Sequence, residues 1–225
     1  MGKLSVNKKE YVNEIIKRLK KEYPDADCTL TAKSPLELLI STQLSAQCTD
    51  ERVNMVTPAL FQKYKTAADF ANASVSDIED CIKSLGLYKN KAKNLKACGE
   101  TLVRDFGGEV PDTMEALLTL AGVGRKTANL VLGEAFGKPA VVVDTHATRL
   151  SRRMGLTKNV DPAKIEQDLK KIIPEKEQMA FCHRLVHHGR KYCMARNPQC
   201  EDCPLFDICK RNLNEKEERK KEVKK

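Results

Sequence analysis

The sequence predicts a fold made of helices alone, and three observations carry that expectation. Apolar residues recur at helical spacing, beginning with Val12, Ile15, Ile16 and Leu19, so that they share one helix face. Ser, Thr and Asp stand ahead of the apolar segments where helix caps belong, and Gly or Pro punctuate the ends. The one strand-like tract, residues 140–143, is too short and too isolated to found a sheet.

Taken in order, the first helix is the amphipathic stretch around Val12–Leu19. Ser34-Pro35 then supplies a cap and a first-turn proline for a helix over 36–44. Ser74 and Ser76 open a further short helix. Helices over 89–106, 113–120, 125–136, 145–154 and 161–173 follow, and one over 177–192 leads into a cysteine-rich loop. Gly86, Gly107-Gly108, Pro111, Gly137 and Pro139 fall between these segments, and no internal repeat interrupts them.

Charge points to a polyanionic partner. The 225 residues hold 40 Lys+Arg against 31 Asp+Glu, a net charge of +9 and a pI near 9.0. Residues 210–225 hold eight basic and four acidic residues, so a basic tail supplies +4 of that excess. With 41% hydrophobic residues the chain can bury a core in one large domain or two small ones. No segment reads as a membrane span or a signal peptide. Met1-Gly2 suggests myristoylation, but Val6 stands where that motif needs Ser or Thr. The expectation is a soluble cytoplasmic protein that makes no membrane contact, with a monomer as the default.

Residues 120–149, LAGVGRKTANLVLGEAFGKPAVVVDTHATR, narrow the chemistry most. The Gly122-Val123-Gly124 turn between two helices bares backbone N–H groups, and without Cβ atoms it can approach a phosphate closely. Lys126 follows at the start of an apolar helix. A lysine is a nucleophile only as the free amine; the like charge of Arg125 and the positive helix N-terminus both disfavour its ammonium form. Arginine could not serve, because it does not deprotonate in proteins. A phosphate-binding cation would suit the same position, and the local sequence leaves both readings open. Asp144 closes the apolar run, and ahead of Thr145-His146-Ala147 it reads as a helix N-cap, a role compatible with catalysis.

Nine cysteines are present, and five of them, Cys28, Cys48, Cys81, Cys98 and Cys182, lie mostly in helical, partly apolar stretches and read as ordinary buried thiols. Cys193, Cys200, Cys203 and Cys209 crowd into seventeen residues. Four thiols so close in a chain read as intracellular suggest a metal site. Structural zinc usually pairs two Cys-x2-Cys knuckles, whereas here there is one knuckle with two outlying ligands. The spacing suits a cubane iron–sulfur cluster better, with zinc as the other reading.

Gly-Val-Gly-Arg-Lys-Thr, Val-Asp-Thr-His, the stretch LISTQLSAQCTD over 39–50 and the Cys-x6-Cys-x2-Cys-x5-Cys spacing occur here in one order. Together they closely resemble the endonuclease III family of helix-hairpin-helix, iron–sulfur DNA glycosylase/AP lyases, over residues 11–209. The resemblance implies a bifunctional enzyme of base excision repair that excises oxidised pyrimidines. Its partner would be double-stranded DNA carrying a damaged pyrimidine or an abasic site. Lys126 matches the lysine that attacks C1′ and forms a Schiff base, and Asp144 the aspartate that stabilises charge on the sugar and helps deprotonate that lysine. Gln47 matches the residue that fills the void left by a flipped nucleotide, and Leu87 the wedge on the opposite strand. His146 matches a histidine near the mouth of the site. The hairpin residues Gly122, Val123, Gly124 and Arg125 would bind phosphate, and the four clustered cysteines would hold one 4Fe–4S cluster.

By the same resemblance, residues 28–138 form a six-helix barrel domain with the hairpin. Residues 1–27 and 139–225 form the cluster domain with its basic tail, and a DNA-binding cleft separates the two lobes. Between Cys193 and Cys200 the chain reads MARNPQ, with Arg196 as the sole cation where family members often carry more. Two alternatives stand beside this reading: a monofunctional mismatch or adenine glycosylase of the same superfamily, and a non-catalytic helix-hairpin-helix binding module. Lys126 argues against the first, and Asp144 would be superfluous in the second.

Overall fold

The computed structural model describes residues 7–211; the Met1-Gly2 terminus and the basic tail beyond Arg211 lie outside them. Among the described residues every regular element is helical: eleven α-helices and one 3₁₀ turn at Glu175–Glu177. No helix of the described residues is long and apolar enough to cross a membrane.

The chain divides into two compact units, one of which is Cys28–Lys138. It contains α2 (Pro35–Leu44), α3 (Asp50–Lys63), α4 (Ala67–Asn72), α5 (Val75–Ile82), α6 (Tyr88–Phe106), α7 (Met114–Leu117) and α8 (Arg125–Phe136). Ser34 caps α2 by accepting from Glu37 N–H, and Pro35 starts its first turn. From Leu38 to Leu44 every residue of α2 is buried, as expected of a helix surrounded by others; it packs against α3, α6 and α8. α6 lies against α4 and α5. A Cβ at Gly99 of α6 would stand 2.8 Å from both Ala67 O and Ala71 N, so only glycine lets α4 come this close.

The sequence did not foresee α3 and α4. α3 holds Pro58 in its interior, and its buried stripe of Val53, Thr57 and Leu60 is not wholly apolar, which blunts the periodic signal. α4 is six residues long, too short for periodicity, and is held by a capping box between Thr66 and Asp69. The helix expected over 113–120 shortens to the single-turn α7, after which tight turns carry the chain through Leu120 to Val123.

The second unit comprises Met1–Asp27 and Pro139–Lys225. It contains α1 (Lys8–Glu22), α9 (Thr145–Arg153), α10 (Pro162–Ile172) and α11 (Gln178–Lys191). α11 packs against α1 and α9, and α10 against α9. Residues 140–143 are extended with no partner strand, and the buried Ala140, Val141 and Val142 pin them to the core. Val142 N–H donates to Cys182 Sγ of α11 at 3.3 Å. Gly189 of α11 leaves no room for a Cβ, because His146 and Arg149 of α9 lie directly on it.

Candidate functional site

The hairpin turn is built by its two glycines for different reasons. Gly122 has φ +75°, and a Cβ there would stand 2.8 Å from Gln43 Oε1 and 3.0 Å from Asn94 Cβ. Val123 is buried and anchors the turn, with its N–H donating to Leu120 O at 3.2 Å. Gly124 is the N-cap of α8 in an extended conformation and offers no side-chain cap. A Cβ at Gly124 would meet nothing within 4 Å. The start of α8 therefore faces outward with uncapped N–H groups and the positive end of its dipole. Arg125 and Lys126 are both exposed in this first turn, and Asn129 Nδ2 pins it by donating to Arg125 O at 3.1 Å.

Asp144 is the N-cap of α9, with Oδ1 accepting from Ala147 N–H at 2.7 Å. The carboxylate is half-buried, and among the described residues that cap is its one hydrogen bond. One oxygen is thus committed to the helix, and the other makes no hydrogen bond among the described residues. His146, two residues on, is also half-buried; its Nδ1 lies 3.1 Å from Arg149 Nη2. Burial holds its pKa below the ordinary histidine value: Asp144 opposes that shift, while Arg149 and Arg190 add to it.

Among the described residues three non-glycine residues have left-handed backbones, and all are exposed: Gln47 (φ 56°), Leu87 (φ 60°) and Asn197 (φ 49°). Gln47 lies in the turn after α2, and Leu87 is the N-cap of α6 with its apolar side chain 53% exposed. The two loops adjoin, since a Cβ on Gly86 would stand 3.9 Å from Gln47 O. A leucine held left-handed and exposed costs conformational energy.

Cys193, Cys200, Cys203 and Cys209 line one cavity, together with Arg153, Met154, His188, Tyr192, Leu205 and Arg211. Burial pushes the Cys203 thiol up to about 11, and its cysteine neighbours add to the shift. Four cysteine sulfurs lining one cavity are the donor set that a metal or an iron–sulfur cluster takes, and such a centre would hold them as thiolates. Gln199 N–H closes the intervening loop onto Tyr192 O at 2.8 Å, and Arg196 stands exposed beside the left-handed Asn197.

Sequence reasoning missed the residues that hold this loop. Arg153 donates to Met194 O at 2.7 Å, Ala195 O at 3.1 Å and Cys193 Sγ at 3.3 Å. His188 is fully buried, with Nε2 3.4 Å from Cys203 Sγ and Nδ1 3.2 Å from Tyr23 OH. Burial pushes His188 down to about 4, so it is neutral near pH 7 and suited to donate Nε2–H to sulfur while accepting from Tyr23. Neither residue carries a spacing signal, because each reaches the cysteines through tertiary packing.

Residues 40–175 match the model of the HhH-GPD superfamily base excision DNA repair proteins, and residues 193–209 that of the iron–sulfur binding domain of endonuclease III. The endonuclease III of Synechocystis sp. is 52% identical over 204 residues, covering 90% of this chain and 93% of that protein. That of Bacillus subtilis is 44% identical over 189 residues, covering 84% and 86%. A solved structure of a trapped endonuclease III–DNA covalent intermediate superposes with a TM-score of 0.87 at 42% identity, covering 93% of this chain and 99% of that one.

Proposed function

Because this chain belongs to the endonuclease III family of HhH-GPD base excision DNA repair proteins, we propose that Lys126 is the nucleophile of its reaction and Asp144 the supporting carboxylate. The chain is a bifunctional DNA glycosylase/AP lyase that acts on DNA and binds a single 4Fe–4S cluster. The observation that carries the residue assignment is the exposed Lys126 in the first turn of an uncapped helix, two residues beyond a glycine that faces open space.

In this reading the substrate is duplex DNA with an oxidised pyrimidine or an abasic site, met by a monomeric enzyme in the cytoplasm. The damaged nucleotide leaves the stack at a cost of roughly a few kcal/mol, less for a base already poorly paired. Gln47 fills the gap it leaves, and Leu87 wedges the opposite strand; their exposed, left-handed placement supports both roles. The N–H groups of Gly122 and Gly124, in the turn that Val123 anchors, and the Arg125 cation hold a backbone phosphate. Arg196 adds a second phosphate contact from the cysteine loop, and His146 supports the DNA side of Asp144.

Chemistry then follows from two side chains. The Lys126 amine attacks C1′, the C1′–N bond to the base breaks, and the base departs with a proton. The free Asp144 oxygen stabilises positive charge developing on the sugar and takes the proton that Lys126 must lose. Ring opening gives an imine between Lys126 and C1′; loss of a C2′ proton expels the 3′ phosphate, and water releases the enzyme. Cys193, Cys200, Cys203 and Cys209 would hold the cluster, whose task here is to fold the loop that presents Arg196.

Base release and strand nicking, followed separately on a duplex with one thymine glycol, test this reading. Lys126→Gln should abolish both while duplex binding survives, and Asp144→Asn should slow both by at least about 100-fold. A Lys126→Gln enzyme that still released base would assign the chain to a monofunctional glycosylase. Binding with no base release from the native protein would leave a binding module.

A further inference from the structure

We propose that Cys48 and Lys91 form a redox modification site, in which a hydroperoxide oxidises Cys48 and the Lys91 amine closes an S–N bond onto it. The two groups are already in contact: Lys91 Nζ lies 3.3 Å from Cys48 Sγ. Lys91 sits in the first turn of α6 and is only 6% exposed. Among the described residues no carboxylate or carbonyl pairs with its Nζ; the sulfur is its one hydrogen-bond partner. A lysine buried this deeply normally brings a carboxylate with it, so an amine committed to a thiol alone calls for a chemical reason. Cys48 is partly exposed and in no disulfide, and across its sulfur stands Gly86, where a Cβ would be 3.9 Å away. Hydrogen peroxide is small enough to enter at this partly exposed residue and meet the sulfur that Lys91 touches.

The chemistry balances in two steps. The thiol attacks hydrogen peroxide, the O–O bond breaks, and Cys48 becomes a sulfenic acid as water leaves; sulfur loses the two electrons that the peroxide gains. Attack on that sulfur by Lys91 in its free-amine form breaks the S–O bond, and an amine proton leaves with the hydroxide as a second water. The product is a sulfenyl amide, the bond a sulfenic acid can form with a nearby nitrogen. Two equivalents of a thiol reductant restore the free cysteine and lysine.

The placement gives the bond a consequence, which rests on the roles proposed above for Gln47 and Leu87. Gln47 directly precedes Cys48, and Leu87 caps the helix whose first turn carries Lys91. Contracting the 3.3 Å contact to a covalent bond pulls both loops together at their left-handed residues. An oxidised enzyme is thereby held back from opening the duplex.

The test treats the cluster-loaded protein with hydrogen peroxide at doses that leave its visible cluster absorbance unchanged. Non-reducing digestion and mass spectrometry should find the peptides of Cys48 and Lys91 joined with the loss of two hydrogens. Cys48→Ala should abolish the link, and Lys91→Gln should leave a sulfenic acid that dimedone captures. Base release by the native enzyme should fall with linking and return with dithiothreitol, while Cys48→Ala keeps its activity throughout. A Cys48 that stays fully alkylatable after peroxide, or a link that leaves base release unchanged, overturns the proposal. A native protein inactive before oxidation would contradict the function itself, and the linking measurement would still decide the modification.

Discussion

Gly122 and Gly124 belong to one short motif but answer to different demands. Gly122 is required by the protein, since its left-handed backbone and the nearby Gln43 and Asn94 exclude a side chain. Gly122→Ala should therefore cost at least about 1–2 kcal/mol for the backbone alone and lower Tm by several degrees in thermal denaturation. Gly124 is required by nothing within the fold. Gly124→Ala should lose no more than about 1 kcal/mol of helix-cap preference. It should nevertheless weaken duplex binding clearly in a fluorescence titration, because its methyl group would stand where a phosphate approaches. Equal losses of Tm in the two variants would contradict this division. Lys126 and Asp144 share such economy: the lysine takes its place from the helix start, and the aspartate caps one helix with one oxygen while offering the other.

Among the elements, α4 and α6 show what close packing demands. Because a Cβ on Gly99 would press on backbone atoms of Ala67 and Ala71, Gly99→Ala should destabilise the protein by about 3 kcal/mol, read from urea denaturation. A cost under about 1 kcal/mol would mean that α4 can move away. Arg153 is the comparable tie in the cysteine loop, and Arg153→Ala should shorten the life of the cluster's visible absorbance under chelator. An unchanged lifetime would show the loop to be self-supporting. Much of this level was legible in the chain. The helix over 125–136 occurs as α8 with the same bounds, because an apolar stripe and flanking glycines mark it. α2 was readable from Ser34-Pro35. α3 was not, since Pro58 and a buried threonine hide its periodicity, and α4 offers one turn and a cap. The four clustered cysteines announced a common site by spacing alone. Arg153, His188 and Lys91 had no such signal, since only tertiary packing brings their side chains to sulfur.

At the scale of the whole molecule, the net charge of +9 favours any polyanion, which makes binding alone a weak witness. Undamaged duplex should be bound too, with affinity falling steeply as salt rises, and its salt dependence should reflect cations such as Arg125 and Arg196. What separates this enzyme from a basic scaffold is one covalent event. Borohydride reduction during turnover on a duplex with a single thymine glycol, followed by peptide mapping of the adduct, tests it most directly. A reduced adduct on Lys126 is expected, and it should disappear in Lys126→Gln while DNA is still bound. Base release with no trapped adduct, or an adduct mapped to another residue, would contradict it.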